Sequence, residues 1–175
     1  MKKSLIHPPS SGYGVKELND IQLAWIAGFA DGDGSIIANI VPHSDYVVIK
    51  YQLRITLSFT QKGKRKFYLI LLRNLLGKKG SIRNRKDGIY EYALVGLDAI
   101  WLLKLIKPFL FMKKKQANLA IQIFEQLPTA KKNASQFLEL CSLADRIANY
   151  NDSKRRAVTS ETVREDFLGL GLINK

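Results

Sequence analysis

The chain has 175 residues, enough for one domain with a real core and too few for two of ordinary size. With 46% hydrophobic and 25% charged residues it is neither collagen-like nor disordered, and no apolar run approaches the roughly 20 residues of a bilayer span. Its 28 basic residues outnumber 15 acidic ones, a formal net charge of +13, which points to a polyanion, nucleic acid being the commonest. Cys141 is the only cysteine and His7 and His43 are the only histidines, so an intrachain disulfide and a Cys/His zinc site are excluded.

Residues 1–16 are rich in Gly, Pro and Ser and are expected to form a mobile arm; the charge at their front is followed by no apolar stretch of a secretory signal. A helix is expected from residue 18 to about residue 30, with Leu18, Ile21 or Gln22, Trp25 and Phe29 on one face. Along it Ala24, Ala27, Gly28 and Asp31 stand at i, i+3, i+4 and i+7, a stripe of small residues that lets another helix backbone approach closely. A buried helix that happens to carry small residues has the same pattern, although Gly28 costs about 1 kcal/mol relative to Ala in a helix interior and so argues for a packing reason.

Asp31 and Asp33 close this helix at its negative pole, where each carboxylate is disfavoured by a few tenths to about 1 kcal/mol. A divalent cation offsets that cost, and Mg2+ is typically held by one or two carboxylates plus phosphate oxygens and water. Asp-Gly-Asp-Gly is equally suited to a plain turn, and the residues alone leave both readings open. An EF-hand loop is excluded, because Ile36 stands where Gly is needed and Pro42 where Glu is needed.

Next come a strand over 35–41 and, across a Pro42-His-Ser-Asp45 loop, a long strand over 47–61. In the latter Val47, Ile49, Tyr51, Leu53, Ile55, Leu57 and Phe59 form one face, and Val48, Lys50, Gln52, Arg54, Thr56, Ser58 and Thr60 the other. No acid lies between Asp45 and Asp87. Donors and acceptors on such an exposed ribbon suit base edges and phosphates of a major groove. An amphipathic helix is expected over 64–76, ended by Gly77, then a hairpin of 81–85 and 89–95 around Lys86-Asp-Gly88, with Arg83 and Arg85 on one face. Helices over 97–110, 114–126 and 135–149 follow, separated by Pro108 and Pro128. Further basic clusters are Lys113 to Lys115 and Lys154 to Arg156.

Ile26-Ala-Gly-Phe-Ala-Asp-Gly-Asp-Gly34 resembles the signature of the LAGLIDADG homing endonucleases, and the order helix, two strands, helix, two strands, helix resembles that family's core. Thr60-Gln-Lys62, Lys113-Lys-Lys-Gln-Ala-Asn118, Asn151-Asp-Ser-Lys154 and Thr159-Ser-Glu-Thr-Val163 resemble segments of its single-motif, homodimeric subgroup encoded in organellar group I introns. The resemblance runs from about Leu18 to Phe167. It implies an α+β fold, αββαββα, with an antiparallel sheet forming a DNA-binding saddle and C-terminal helices behind it. The endonuclease domain would occupy 17–168, between the arm and a tail of 169–175.

The same resemblance implies a site-specific double-strand DNA endonuclease of intron homing. Such an enzyme hydrolyses phosphodiesters with divalent metal at a long pseudo-palindromic site and leaves short 3′ overhangs. It assigns catalysis to Asp33, Gln61, Arg65 and Lys113, and the metal to Asp33 and the Gly32 carbonyl. Mg2+ is the expected ion, with Mn2+ also supporting activity and Ca2+ binding without cleavage. It assigns DNA contacts to Asn39, His43, Tyr46, Gln52, Arg54, Ser58, Lys62, Arg83, Arg85 and Glu91, and backbone contacts to Ser153, Lys154, Arg155 and Arg156. With one signature per chain, two strand cuts require a C2 homodimer through the helix around residues 18–31, with Ala24, Ala27 and Gly28 at the interface and Asp31 at the junction. Neither membrane nor zinc is expected, and an organelle, the chloroplast before the mitochondrion, is the implied compartment. The same fold also serves DNA-binding proteins without cleavage and RNA maturases that assist splicing; the presence of Asp33, Gln61 and Lys113 favours the nuclease.

Overall fold

The computed structural model describes residues 17–43, 49–85, 87–151 and 156–174. In chain order the elements are α1 (Asp20–Asp33), β1 (Gly34–Pro42), β2 (Tyr51–Lys62), α2 (Lys66–Leu75), β3 (Ser81–Asn84), β4 (Ile89–Val95), α3 (Leu97–Ile106), α4 (Lys114–Ala130), α5 (Ala134–Asn149) and α6 (Ser160–Gly169). The strands form one antiparallel sheet in the order β1-β2-β4-β3, with Arg83 opposite Glu91 where β3 meets β4. The expected α+β class and element order are therefore present. The residues divide into two compact units: unit 1 joins the chain up to Ser35 with Leu57–Lys113, and unit 2 joins Ile36–Thr56 with the chain from Lys114 onward.

In unit 1, α1 begins at a capping box: Asn19 Oδ1 accepts the Gln22 N–H at 2.9 Å and Gln22 Oε1 accepts the Asn19 N–H at 3.0 Å. Two orphan donors are satisfied there, which starts the helix at Asp20 rather than at Leu18. The helix runs directly into β1 because Gly34 lies against it; a Cβ at that position would stand 2.6 Å from the Ala30 carbonyl oxygen. Its buried face is Leu23, Ile26, Ala27, Ala30 and Asp31. The face that carries Ile21 and Trp25 is the other one: Ile21 is 82% exposed and Trp25 is exposed too. The core continues through Phe29, Phe59 and Tyr92, whose rings pair at 5.3 and 6.1 Å, to Leu69 and Leu72 of α2, Leu94 and Leu102. Each such buried side chain contributes about 1.5–3 kcal/mol. A short 3-10 turn, Gly63–Arg65, precedes α2, and Gly77 at φ +67° follows it, as expected of a helix stop.

In unit 2 the core is Ile36, Leu53, Ile55, Ile123, Phe137, Cys141, Ile147, Val163 and Phe167. Phe167 of α6 meets Phe137 of α5 at 6.3 Å and the edge of Tyr51 at 6.4 Å. The Tyr51 hydroxyl donates to Asp166, and the Asn151 side chain donates to the Ile36 carbonyl at 2.9 Å. Burial and the Asp166 hydrogen bond push the Tyr51 phenol up to about 12; burial likewise pushes the Cys141 thiol up to about 12. Pro128 does not end α4 at Gln126 as expected, since it lies in the last turn and the helix runs on to Ala130. Thr159 caps α6 with a box shared with Thr162, a helix that the hydrophobic period alone does not announce.

The long strand also differs from expectation. Residues 44–48 lie outside the described residues, and β2 starts at Tyr51 after Lys50, whose φ is +53°. Alternation then holds through Leu57 and stops: Leu57, Ser58 and Phe59 are all buried. Successive side chains point to opposite faces, so both faces of β2 are covered at this end.

Candidate active site

The end of α1 presents Gly32 and Asp33 to solvent, because the helix face that is buried ends on Asp31. Within unit 1, β2 brings Gln61 to this end, where its side-chain N–H donates to Asp33 Oδ2 at 2.6 Å. Gln61 itself is buried, so the bond also orients the carboxylate. Arg65, from the 3-10 turn that follows β2, lines the same pocket as Asp33 and Gln61, together with Ala24, Trp25, Gly28, Phe29 and Tyr68. The absence of side chains at Gly28 and the shortness of Ala24 open this pocket along α1.

Lys113 reaches the same helix end by another route. Its Nζ donates to the Asp31 carbonyl, its backbone N–H to Asp31 Oδ1 at 2.9 Å, and the Phe111 N–H to Asp31 Oδ2 at 2.8 Å. The last turn of α1 holds no base of its own, so Lys113 supplies the cation that the negative pole of the helix favours. The electrostatic cost at the helix end is thus divided: backbone donors and Lys113 answer Asp31, and Asp33 remains on the exposed side with the Gln61 amide.

Of the residues expected at the site, Asp33, Gln61 and Arg65 come together in one pocket, and Lys113 is bound two residues from Asp33. The oxygens on offer for a metal are the Asp33 carboxylate and the Gly32 carbonyl, hard donors of the kind Mg2+ and Ca2+ take. Among the described residues no three His, Cys, Asp or Glu side chains gather at one point. Two oxygen donors would be part of a ligand set, as for an ion that keeps waters and phosphate oxygens.

The expected DNA contacts sort differently. In unit 2, Asn39 and Arg54 are exposed and His43 and Gln52 half-buried; in unit 1, Lys62, Arg83 and Arg85 are exposed. Ser58, at 2% exposure, is enclosed by the covered end of β2 and does not face a groove. Glu91 is buried and accepts Arg83 Nε at 2.5 Å from its cross-strand neighbour, so it orients an arginine rather than presenting its own oxygens. Arg156 is held by Asp145, whose other oxygen accepts the Ser160 N–H at 3.0 Å and hydroxyl at 2.6 Å. The Asp145 carboxylate thus ties α5 to the start of α6, and Arg156 is engaged with it instead of standing open to a phosphate. Tyr46, Ser153, Lys154 and Arg155 lie outside the described residues.

The expected interface stripe also shifts by part of a turn. Ala24 and Gly28 are exposed, but Ala27 is wholly buried within its own chain and Asp31 nearly so. The exposed set is Ile21, Ala24, Trp25 and Gly28, again at i, i+3, i+4 and i+7. The period places Ile21, Trp25 and Phe29 on one face without saying which face is buried, because α1 is apolar on both sides and the phase signal is lost.

The model of the LAGLIDADG endonuclease family matches residues 26–113, the stretch that runs from α1 to Lys113. The chain belongs to the LAGLIDADG endonuclease family. It is 46% identical over 143 residues to DNA endonuclease I-CreI of Chlamydomonas reinhardtii, covering 81% of this chain and 86% of that one. To DNA endonuclease I-CvuI of Chlorella vulgaris it is 38% identical over 154 residues, covering 87% and 94%. A crystal structure of I-CvuI with the I-CreI target in 2 mM Mg, its DNA not cleaved, superposes with TM-score 0.80 at 37% identity over 88% of this chain and 97% of that chain. The same figures hold for I-CvuI with its own target in 2 mM Ca. Archaeal I-Vdi141I bound to DNA, at 21% identity and TM-score 0.75, has the same fold.

Proposed function

We propose that this LAGLIDADG endonuclease cuts both strands of DNA at a specific, pseudo-palindromic site as a C2 homodimer, one Asp33 per strand. The observation that carries the reading is the exposed Asp33 carboxylate oriented by Gln61, with Arg65 in the same pocket, at the end of a helix whose exposed face is apolar. That face, Ile21, Ala24, Trp25 and Gly28, is where a second copy would lie. Two carboxylates brought to about 5 Å repel by roughly 3 kcal/mol at an effective dielectric of 20. A divalent cation held by Asp33 and the Gly32 carbonyl would relieve that repulsion and acidify a bound water near the phosphate.

The chain's own residues then have distinct parts in the hydrolysis, in which water adds to phosphorus and the 3′ oxygen leaves. Gln61 holds Asp33 in place and offers polar atoms to the water. Arg65 and the Lys113 ammonium offset the negative charge that grows on the phosphate and the leaving oxygen. Asn39, Gln52 and Arg54 in unit 2 and Lys62, Arg83 and Arg85 in unit 1 supply donors to phosphates and base edges. The I-CvuI complexes obtained in Mg and in Ca support a divalent requirement. Mn2+ as a working substitute, Ca2+ as an ion that binds without turnover, and short 3′ overhangs follow from the family resemblance. So does the compartment, an organelle and the chloroplast before the mitochondrion.

The test is linearisation of a supercoiled plasmid library carrying partly randomised versions of the I-CreI target. With Mg2+ a subset of plasmids is linearised, and chelation of the metal abolishes it. No metal-dependent linearisation of any member refutes the nuclease reading.

A further inference from the structure

Asp31 lies two residues before Asp33 and is placed to act differently. Its side chain is 9% exposed, and each of its oxygens accepts one backbone N–H from residues about 80 positions away, Phe111 and Lys113. The Lys113 ammonium then returns to the Asp31 carbonyl. Both the main chain and the side chain of Lys113 thus end on a single residue of α1. Residues 111–113 need such a hold. They belong to no helix or strand, and Phe111 and Met112 are 90% and 75% exposed, so neither a hydrogen-bond ladder nor core packing fixes their path. A lysine on a flexible four-carbon stem delivers its charge to one point only if its backbone is fixed.

We infer that Asp31 is a positioning residue for Lys113. Its carboxylate clamps the backbone of residues 111–113 and so keeps the Lys113 ammonium at the turn of α1 that carries Gly32 and Asp33. The inference rests on the proposed part of Lys113 in the hydrolysis. A carboxylate is the group required, because it offers two acceptor oxygens and no donor; asparagine would turn its amide N–H groups against one of the two backbone N–H groups.

On the plasmid that the wild-type chain linearises, Asp31→Asn lowers the single-turnover cleavage rate by about 10²-fold, the usual effect of misplacing a group by an ångström, with the Kd for the duplex unchanged within about threefold. Lys113→Ala also lowers the rate, and the double variant is no slower than Lys113→Ala alone, because the clamp has nothing left to place. Losses that multiply in the double variant overturn the inference, since an aspartate that merely supports the fold damages the site whether or not Lys113 is there. Wild-type cleavage by Lys113→Ala overturns the reading of Lys113 and the inference with it. Asp31→Asn risks failing to fold, so hydrogen exchange on the wild-type chain supplies a measurement that needs no variant. The Phe111 and Lys113 amides are slowed well below unstructured-peptide rates; exchange at peptide rates at these two amides overturns the clamp whatever the cleavage assays give.

Discussion

In unit 2 the Asp145 carboxylate accepts Arg156 on one oxygen and both the N–H and the hydroxyl of Ser160 on the other, while in unit 1 Asp33 accepts a single amide N–H from Gln61 at an exposed helix end. Both clusters pair an acid with a base or an amide. Asp145 is closed, with its lone pairs directed at partners inside its own unit, so its chemistry ends in holding α5 to α6. Asp33 is open, and what remains of its coordination faces outward, where a cation or a phosphate can complete it. Asp31 belongs with Asp145 in this respect, although it sits in the signature itself. Saturation of the acceptor oxygens, more than the presence of charge, separates Asp31 and Asp145 from Asp33.

The largest effect that tests this contrast is on cleavage. Asp33→Asn keeps the oxygen that meets Gln61 and removes the charge; DNA cleavage falls below detection while DNA binding stays close to wild type. Removing a carboxylate from a helix C-terminus also relieves a few tenths of a kcal/mol, so the melting temperature holds or rises slightly. Equal loss of cleavage and binding, or a clear drop in melting temperature, would make Asp33 a structural acid like Asp145. The converse substitution, Asp145→Ala, leaves Arg156 and the Ser160 N–H without their acceptor. It lowers stability by about 1–3 kcal/mol, several degrees in Tm for a chain of this size. Cleavage per folded molecule, measured well below that Tm, stays at the wild-type level. A stable Asp145→Ala with impaired cleavage would show that this cluster is not closed after all.

How far the sequence reveals these roles depends on the range of each interaction. Asp33 and the Gly34 that turns α1 into β1 lie within one signature; local rules of helix ends and turns mark the position as unusual for a carboxylate, and the family resemblance, not those rules, singles out Asp33. The hairpin of β3 and β4 and the stop at Gly77 are local as well. The role of Asp31 is hidden because its partners, Phe111 and Lys113, are about 80 residues away and joined to it through backbone N–H groups that leave no side-chain pattern. Arg156 reads as one more member of a basic run, and only the fold brings Asp145 against it. Ser58 lies on the polar side of a period-two strand whose end is covered on both faces. For α1 the period is present but its phase is not, since Leu23, Ile26 and Ala27 on one side and Ile21, Ala24 and Trp25 on the other are equally apolar.

The smallest effect expected is a pH dependence that reports how tightly unit 2 is closed around Asp145. Burial raises the Cys141 thiol from 9.0 to about 12, with the Asp145 carboxylate adding to the shift, and burial with the Asp166 hydrogen bond raises the Tyr51 phenol from 10.0 to about 12. In each case the folded chain keeps a proton that the unfolded chain gives up, so unfolding releases protons and stability falls as pH rises. The contribution is complete below pH 9, where both states hold the proton, and is lost between pH 9 and about 12. Between pH 9 and 10 the unfolded Cys141 thiol goes from half to about nine tenths ionised, so its own slope rises from about half of 1.4 kcal/mol per pH unit toward the full value. The unfolded Tyr51 phenol goes only from about one tenth to one half ionised and adds a smaller part. Urea denaturation of the wild-type chain and of Cys141→Ala at pH 8, 9 and 10 isolates the group: the variant, whatever its stability at pH 8, has the flatter profile. Parallel profiles would mean that the thiol ionises in the folded chain as readily as in the unfolded one, and that the interior around α5 admits water.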